Sequence, residues 1–255
     1  MQLIDKVVVV TGGASGIGAA MAQRFVREGA RTVVVADRDA ARASKVAAAI
    51  HAVPAHIHVT DEADMARLID ETEARHGPID LFCSNAGTTI AGGPELPDAD
   101  WRHVIDVNLM AHVHAARALL PRMLARGSGY LLQTASAAGL LSQFDAPYAV
   151  SKHAAVAFAE WLSITYGDRG IRVSCLCPGA VDTPLLRAET DTRRELMSTG
   201  LIDADAVADI VIEALAEERF LILTHGFVQE QIERKAADPD RWIRGMRKLH
   251  ARATG

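Results

Sequence analysis

Short apolar runs and longer stretches of helical periodicity take turns along this chain. The runs KVVVVT (6–11), RTVVVAD (31–37), HIHV (56–59), IDLFCS (79–84), YLLQTAS (130–136), IRVSCLC (171–177) and FLILT (220–224) are short and mostly branched, which predicts strands. Helical patterns fall between them near 17–28, 39–50, 62–75, 98–124, 148–167 and 203–217. VVVV and LLQT are apolar without strict alternation, as strands covered on both faces are. Strand and helix in alternation predict βαβ units, hence an α/β chain with a parallel sheet and helices on both faces. Right-handed crossovers then bring the carboxyl ends of the strands to one rim.

No composition break, repeat or flexible linker divides the chain, so residues 1–255 are expected to form one domain. Two stretches interrupt the alternation. Residues 184–202 are expected to be a lid that orders over bound substrate. Residues 227–252 form a polar tail, expected as two short helices split near Asp238-Pro239. Its last part carries Arg241, Arg244, Arg247, Lys248 and Arg252, yet the whole chain has a formal net charge of −5. That balance argues against a nucleic-acid partner and for a solvated helix packed on its own subunit or a neighbour.

Composition adds exclusions. With 255 residues, 49% of them apolar, the chain can bury a large core and is not disordered. No apolar run approaches the roughly 18 residues of a membrane span, so no membrane partner is expected. The opening MQLIDKVVVVTGG lacks a basic region leading into a long apolar one, so no secretory signal is expected and a cytoplasmic location is. Three cysteines, Cys83, Cys175 and Cys177, are too few for a disulfide framework and suit a reducing compartment. Cys175 and Cys177 are expected on opposite faces of their strand, as buried structural thiols, and no metal site is expected.

TGGASGIG (11–18) follows the first strand and opens the first helix. Gly12, Gly16 and Gly18 would permit a tight turn and a close approach to a pyrophosphate, with the helix N-terminus facing its charge. Asp37 ends the second strand, where a carboxylate accepts from adenosine ribose hydroxyls and repels a 2′-phosphate. Ser15 offers that phosphate no positive charge, whereas Arg38 could reach it. The balance favours NAD over NADP.

SAAGLLSQFDAPYAVSK (136–152) holds the candidate chemistry. Ser136 ends the fifth strand, on the rim where open α/β sheets bind ligands. Pro147 biases residue 146 toward extended geometry, so the next helix is expected to begin near Tyr148, with Tyr148 and Lys152 four apart on one face. Hydride transfer at nicotinamide needs a matching proton transfer at the substrate oxygen. A tyrosine of reference pKa near 10 becomes a usable base beside an ammonium, which favours the phenolate. Tyr148 is therefore the candidate proton donor or acceptor, Lys152 its electrostatic partner, and Ser136 the hydrogen bond that polarises the substrate oxygen.

In this ordered set of motifs the chain closely resembles the short-chain dehydrogenase/reductase family over residues 5–224. TGGASGIG resembles the family's cofactor loop, including Ile17, and SNAG (84–87), with Asn85, Ala86 and Gly87, its N-A-G motif. Ser136, Tyr148 and Lys152 resemble its catalytic triad. The resemblance makes Asn108 the fourth catalytic residue, fixing a helix distortion and a water connected to the lysine. PGAVDTP (178–184) resembles the family's P-G motif, so that Pro178, Gly179, Val181 and Thr183 would meet the nicotinamide end, and Val59 the adenine. A seven-stranded, doubly wound Rossmann-like sheet is implied, as is a homodimer or homotetramer burying the helices at 98–124 and 148–167, with Phe158 and Trp161 at the interface. Three departures stand out. His58 replaces a frequent aspartate, the serine-to-tyrosine spacing is one residue short, and THGFVQEQ replaces the usual glycine-rich end after strand seven.

Ala138, Gln143, Phe144, Leu185 and Leu186 are the expected substrate contacts, in wider surroundings that include Met197. They are mostly apolar, and no arginine stands out to clamp a carboxylate or phosphate. The expected activity is NAD-dependent oxidation of a neutral, hydrophobic secondary alcohol to its ketone. The alternatives are an NADPH-dependent carbonyl or 3-oxoacyl thioester reductase, and a non-catalytic NAD-binding scaffold or sensor.

Overall fold

The computed structural model of the protein describes residues 1–142, 144–188 and 200–254. Seven parallel strands lie in the order β3-β2-β1-β4-β5-β6-β7. They are β1 (Val7–Thr11), β2 (Thr32–Asp37), β3 (Val53–His56), β4 (Leu81–Ser84), β5 (Gly129–Thr134), β6 (Ile171–Cys177) and β7 (Leu221–Leu223). The chain builds outward from β1 to β3, then returns to place β4 on the other side of β1. This reversal opens a crevice above the carboxyl ends of β1 and β4, the usual ligand position in such sheets.

Helices α1 (Gly16–Arg27), α2 (Ala40–Ile50) and α8 (Ala204–Ala216) belong with one face of the sheet; α3 (Glu62–His76), α5 (Ala111–Arg126) and α6 (Ala146–Tyr166) belong with the other. All of β1 is buried: Val8 and Val10 join the first core and Val7 and Val9 the second. That double covering is why its sequence is an unbroken apolar run. A short α4 (Asp98–Ile105) runs through a π-helical turn at Asp106–Met110 into α5. After β6 come α7 (Pro184–Arg187) and, beyond β7, α9 (Gly226–Ala237) and α10 (Pro239–Thr254), the two tail helices split at Asp238-Pro239. No helix among the described residues is long and apolar enough to cross a membrane.

Three expectations are corrected. The third strand is VPAH rather than HIHV: Pro54 is tolerated because β3 is an edge strand, where its missing N–H breaks no ladder. Helix α6 starts at Ala146, with Pro147 already in its first turn. Cys175 and Cys177 do not point to opposite faces; positions two apart on a strand share a face, and their sulfurs lie 3.8 Å apart in one core. Of the expected lid, residues 189–199, with Met197, lie outside the described residues, as does Gln143. The ends of that excursion are paired, Asp182 N–H donating to Ile202 O and Ile202 N–H to Ala180 O.

Candidate active site

A cavity of about 920 Å³ runs along the sheet's carboxyl rim. At one end are Gly12, Ser15, Gly16 and Ile17. Gly12 and Gly16 have φ of 63° and 51°, left-handed values that favour glycine. A Cβ on Gly16 would come within 3.1 Å of Thr183 Cγ2, so the glycine loop and the segment after β6 face each other closely. Gly18 does not line the cavity, contrary to expectation: a Cβ there would stand 2.2 Å from Gly12 O, so it permits α1 to pack against the loop.

Asp37, Arg38, Arg42, His58 and Val59 line the cavity past the ends of β2 and β3. The Asp37 carboxylate accepts from the backbone N–H of Ala14 and of Asp39, at 3.1 and 3.0 Å, which ties the end of β2 to the glycine loop. A glycine-lined helix N-terminus and a carboxylate one strand away, within one cavity, fit a dinucleotide.

Asn85, Ala86 and Gly87 line the middle of the cavity. Asn85 Nδ2 donates to Thr11 O at 3.1 Å, joining the end of β4 to β1. Asn108 sits beneath, fully buried and outside the lining, in the π-helical turn. Its Oδ1 accepts from Thr88 N–H and its Nδ2 donates to Thr88 O, both at 2.9 Å, and to Ser151 Oγ at 3.0 Å. Ser151 in turn donates to Tyr148 O at 2.9 Å. Asn108 thus clamps the loop after β4 to the first turns of α6. Ser151, just before Lys152, was missed because a helical serine carries no distinctive signal.

Ser136, Tyr148 and Lys152 all line this cavity. Ser136 caps a 3₁₀ turn at Ala137–Gly139, its Oγ accepting from Ala138 N–H at 3.1 Å. The start of α6 is held by Asp145 Oδ1, which accepts from Gly92 N–H, and by Ala146 N–H donating to Gly92 O. Lys152 Nζ donates to Thr134 O at 2.9 Å and lies 5.8 Å from the Tyr148 ring centroid. Its side chain is buried, and that burial pulls the ammonium down to about 8 from 10.5, against the opposing pull of the Cys175 and Cys177 thiols.

Pro178, Gly179, Val181 and Thr183 also line the cavity, as do Ala138, Phe144, Leu185 and Leu186. Phe144 reaches the cavity from a left-handed backbone, φ 44°. Lining residues that the sequence did not single out include His103, Leu141, Phe227 and Leu249. Of these, Phe227 and Leu249 come from the tail, whose polar composition gave no sign of a pocket wall.

Comparison with known proteins agrees with this geometry. A family model described as short chain dehydrogenase matches residues 6–194. The 1-deoxy-11-beta-hydroxypentalenate dehydrogenase of Streptomyces avermitilis is 40% identical over 241 residues, covering 91% of this chain and 89% of that protein. Momilactone A synthase of Oryza sativa subsp. japonica is 41% identical over 199 residues, covering 73% and 70%. A short chain dehydrogenase/reductase from Burkholderia phymatum, solved in complex with NAD, superposes with a TM-score of 0.86 at 28% identity, covering 94% of this chain and 96% of that one. With the glycine loop, the N-A-G segment and the Ser136, Tyr148 and Lys152 constellation on one cavity, this chain belongs to the short-chain dehydrogenase/reductase family of NAD(P)-dependent oxidoreductases that act on hydroxyl and ketone groups.

Proposed function

We propose that the protein oxidises a neutral, largely apolar secondary alcohol to its ketone, using NAD. The observation that carries this reading is continuity: Ser136, Tyr148 and Lys152 line the same cavity as the glycine loop and Asp37. NAD, when bound, supplies the hydride-accepting carbon. Tyr148 takes the proton of the substrate hydroxyl. The buried Lys152 ammonium favours the phenolate form of Tyr148 and, held by Thr134 O, keeps its remaining hydrogens for other acceptors. The Ser136 oxygen already accepts from Ala138 N–H, which leaves its hydrogen to donate to the substrate oxygen. Asn108 is a positioning residue in this scheme.

The apolar lining from Leu141, Phe144, Leu185 and Leu186 supports a hydrophobic substrate, and the Streptomyces relative is named for dehydrogenation of a hydroxy compound. The Asp37 carboxylate supports NAD, since it would repel a 2′-phosphate. Arg38 and Arg42 line the same end and favour a second reading, NADPH-dependent carbonyl reduction. Assembly as a homodimer or homotetramer belongs to the first reading. Val150, Trp161 and Ile164 on α6 are 51, 52 and 78% exposed along one side of the helix, an apolar stripe suited to a second copy.

A panel of secondary alcohols and ketones, followed by NADH or NADPH absorbance, tests the proposal with wild type and Tyr148→Phe. Wild type should turn over an apolar alcohol with NAD, and the variant should lose nearly all turnover while keeping its NAD affinity. A Tyr148→Phe enzyme as active as wild type refutes the proton-transfer assignment, and a clear preference for NADPH refutes the reading of Asp37.

A further inference from the structure

Phe227 at the start of α9 and Leu249 on α10 line the same cavity as Tyr148, although both lie beyond the family's motifs. We propose that α9 and α10 form the substrate-side wall, that Lys235 is the positioning residue holding this wall against the loop after Ser136, and that the pair selects bulky apolar alcohols over small ones. The proposal rests on the alcohol-oxidation reading above.

Lys235 Nζ donates to Leu140 O at 2.7 Å and lies 5.2 Å from the Trp242 ring centroid. A charge-assisted bond of this kind is among the stronger contacts available to a tail helix. Around it, buried Ala137 and Leu141 from the loop and Val228 from α9 form a separate apolar cluster with Trp242. Across the loop, a Cβ on Gly139 would stand 2.5 Å from Lys152 O. Residues 137–141 are therefore held between α6, which carries Tyr148, and the tail, which carries Phe227 and Leu249.

The root of the tail is pinned as well. His225 Nε2 donates to Gly200 O at 2.7 Å, and its Nδ1 is hydrogen-bonded to Thr224 Oγ1, also at 2.7 Å. Thr224 Oγ1 accepts from Gly179 N–H at 3.2 Å, joining the tail to the loop after β6. The Phe227 ring packs edge-on to His225, 5.4 Å between centroids, and is 45% exposed. A large aromatic face held in place yet half-open at the cavity offers apolar area that a bulky substrate covers and a small one does not reach.

The test measures kcat/KM with saturating cofactor for a bicyclic secondary alcohol and for 2-butanol, in wild type, Phe227→Ala, Leu249→Ala, Lys235→Met and Lys235→Arg. The bicyclic-to-butanol ratio should fall about tenfold in the two alanine variants and in Lys235→Met, and recover in Lys235→Arg. An unchanged ratio, or equal loss on both alcohols, overturns the specificity role. Hydrogen exchange on the full chain without substrate reads the latch separately. The amides of Gly139, Leu140 and Leu141, bonded within the loop to Ser136 O and Ala137 O, should exchange about tenfold faster in Lys235→Met. Unchanged exchange overturns the latch. A wild type inactive on every alcohol overturns the activity reading instead, and the exchange result then judges the latch on its own.

Discussion

Replacing Lys152 by methionine removes a buried charge while keeping a stem of similar length. Its consequence for stability can be worked from the site. Burial lowers the folded-state pKa of Lys152 to about 8 from an ordinary 10.5. Between those values the native protein binds fewer protons at this position than the unfolded chain, so stability rises with pH across the window. Below pH 8 the full cost of holding the ammonium away from water is present; above 10.5 it is gone. At 1.36 kcal/mol per pKa unit, the rise between pH 7 and pH 10 comes to about 2.5 kcal/mol. Urea unfolding of both proteins, without cofactor, at matched pH isolates this quantity as the wild-type stability minus that of Lys152→Met. The difference should climb by about that amount as pH rises from 7 to 10. Loss of the bond to Thr134 O offsets the two curves by a constant and leaves the slope alone. A flat difference would refute the buried, desolvated ammonium, and a falling one would mean that an anion such as the Cys177 thiolate pairs with it.

Two further outcomes follow from the geometry. Gly139→Ala forces its new methyl to within 2.5 Å of Lys152 O, so the Ser136 loop must move; kcat should fall by about a hundredfold, for an overpacking strain of roughly 1–3 kcal/mol, with NAD affinity by titration calorimetry unchanged. Ile164→Glu places a charge on the exposed apolar side of α6, so sedimentation velocity should show a smaller species than wild type, with no loss of thermal stability in the separated subunit.

Much of the frame was legible in local pattern. The unbroken apolar run of β1 announces a sheet covered on both faces, and Gly12 and Gly16 stand where the backbone is left-handed, Gly16 beside Thr183. β3 was placed late, at HIHV instead of VPAH; a strand containing Pro54 is admissible only at a sheet edge, which the fold decides. The π-helical turn around Asn108 has no mark in the helical periodicity of residues 98–124; its buried amide is bonded to Thr88 and Ser151, both distant in sequence. The faces of Cys175 and Cys177 follow from the two-residue period of a strand and were legible, though misread.

By itself, then, the order of residues determined what depends on neighbours a few positions apart: strand and helix periods, the glycine turn, and the four-residue spacing of Tyr148 and Lys152 on one helical face. Tertiary structure decided what depends on contacts across the chain. Lys152 acquires its lowered pKa only because the fold buries it against Thr134 O. Phe227 and Leu249 become cavity lining only because the tail docks beside Leu140, 95 residues from the lysine that bonds it. A polar, basic helix has the same pattern whether it lies free in solvent or walls a pocket, because few side chains make the contact and their partners lie far away in the sequence.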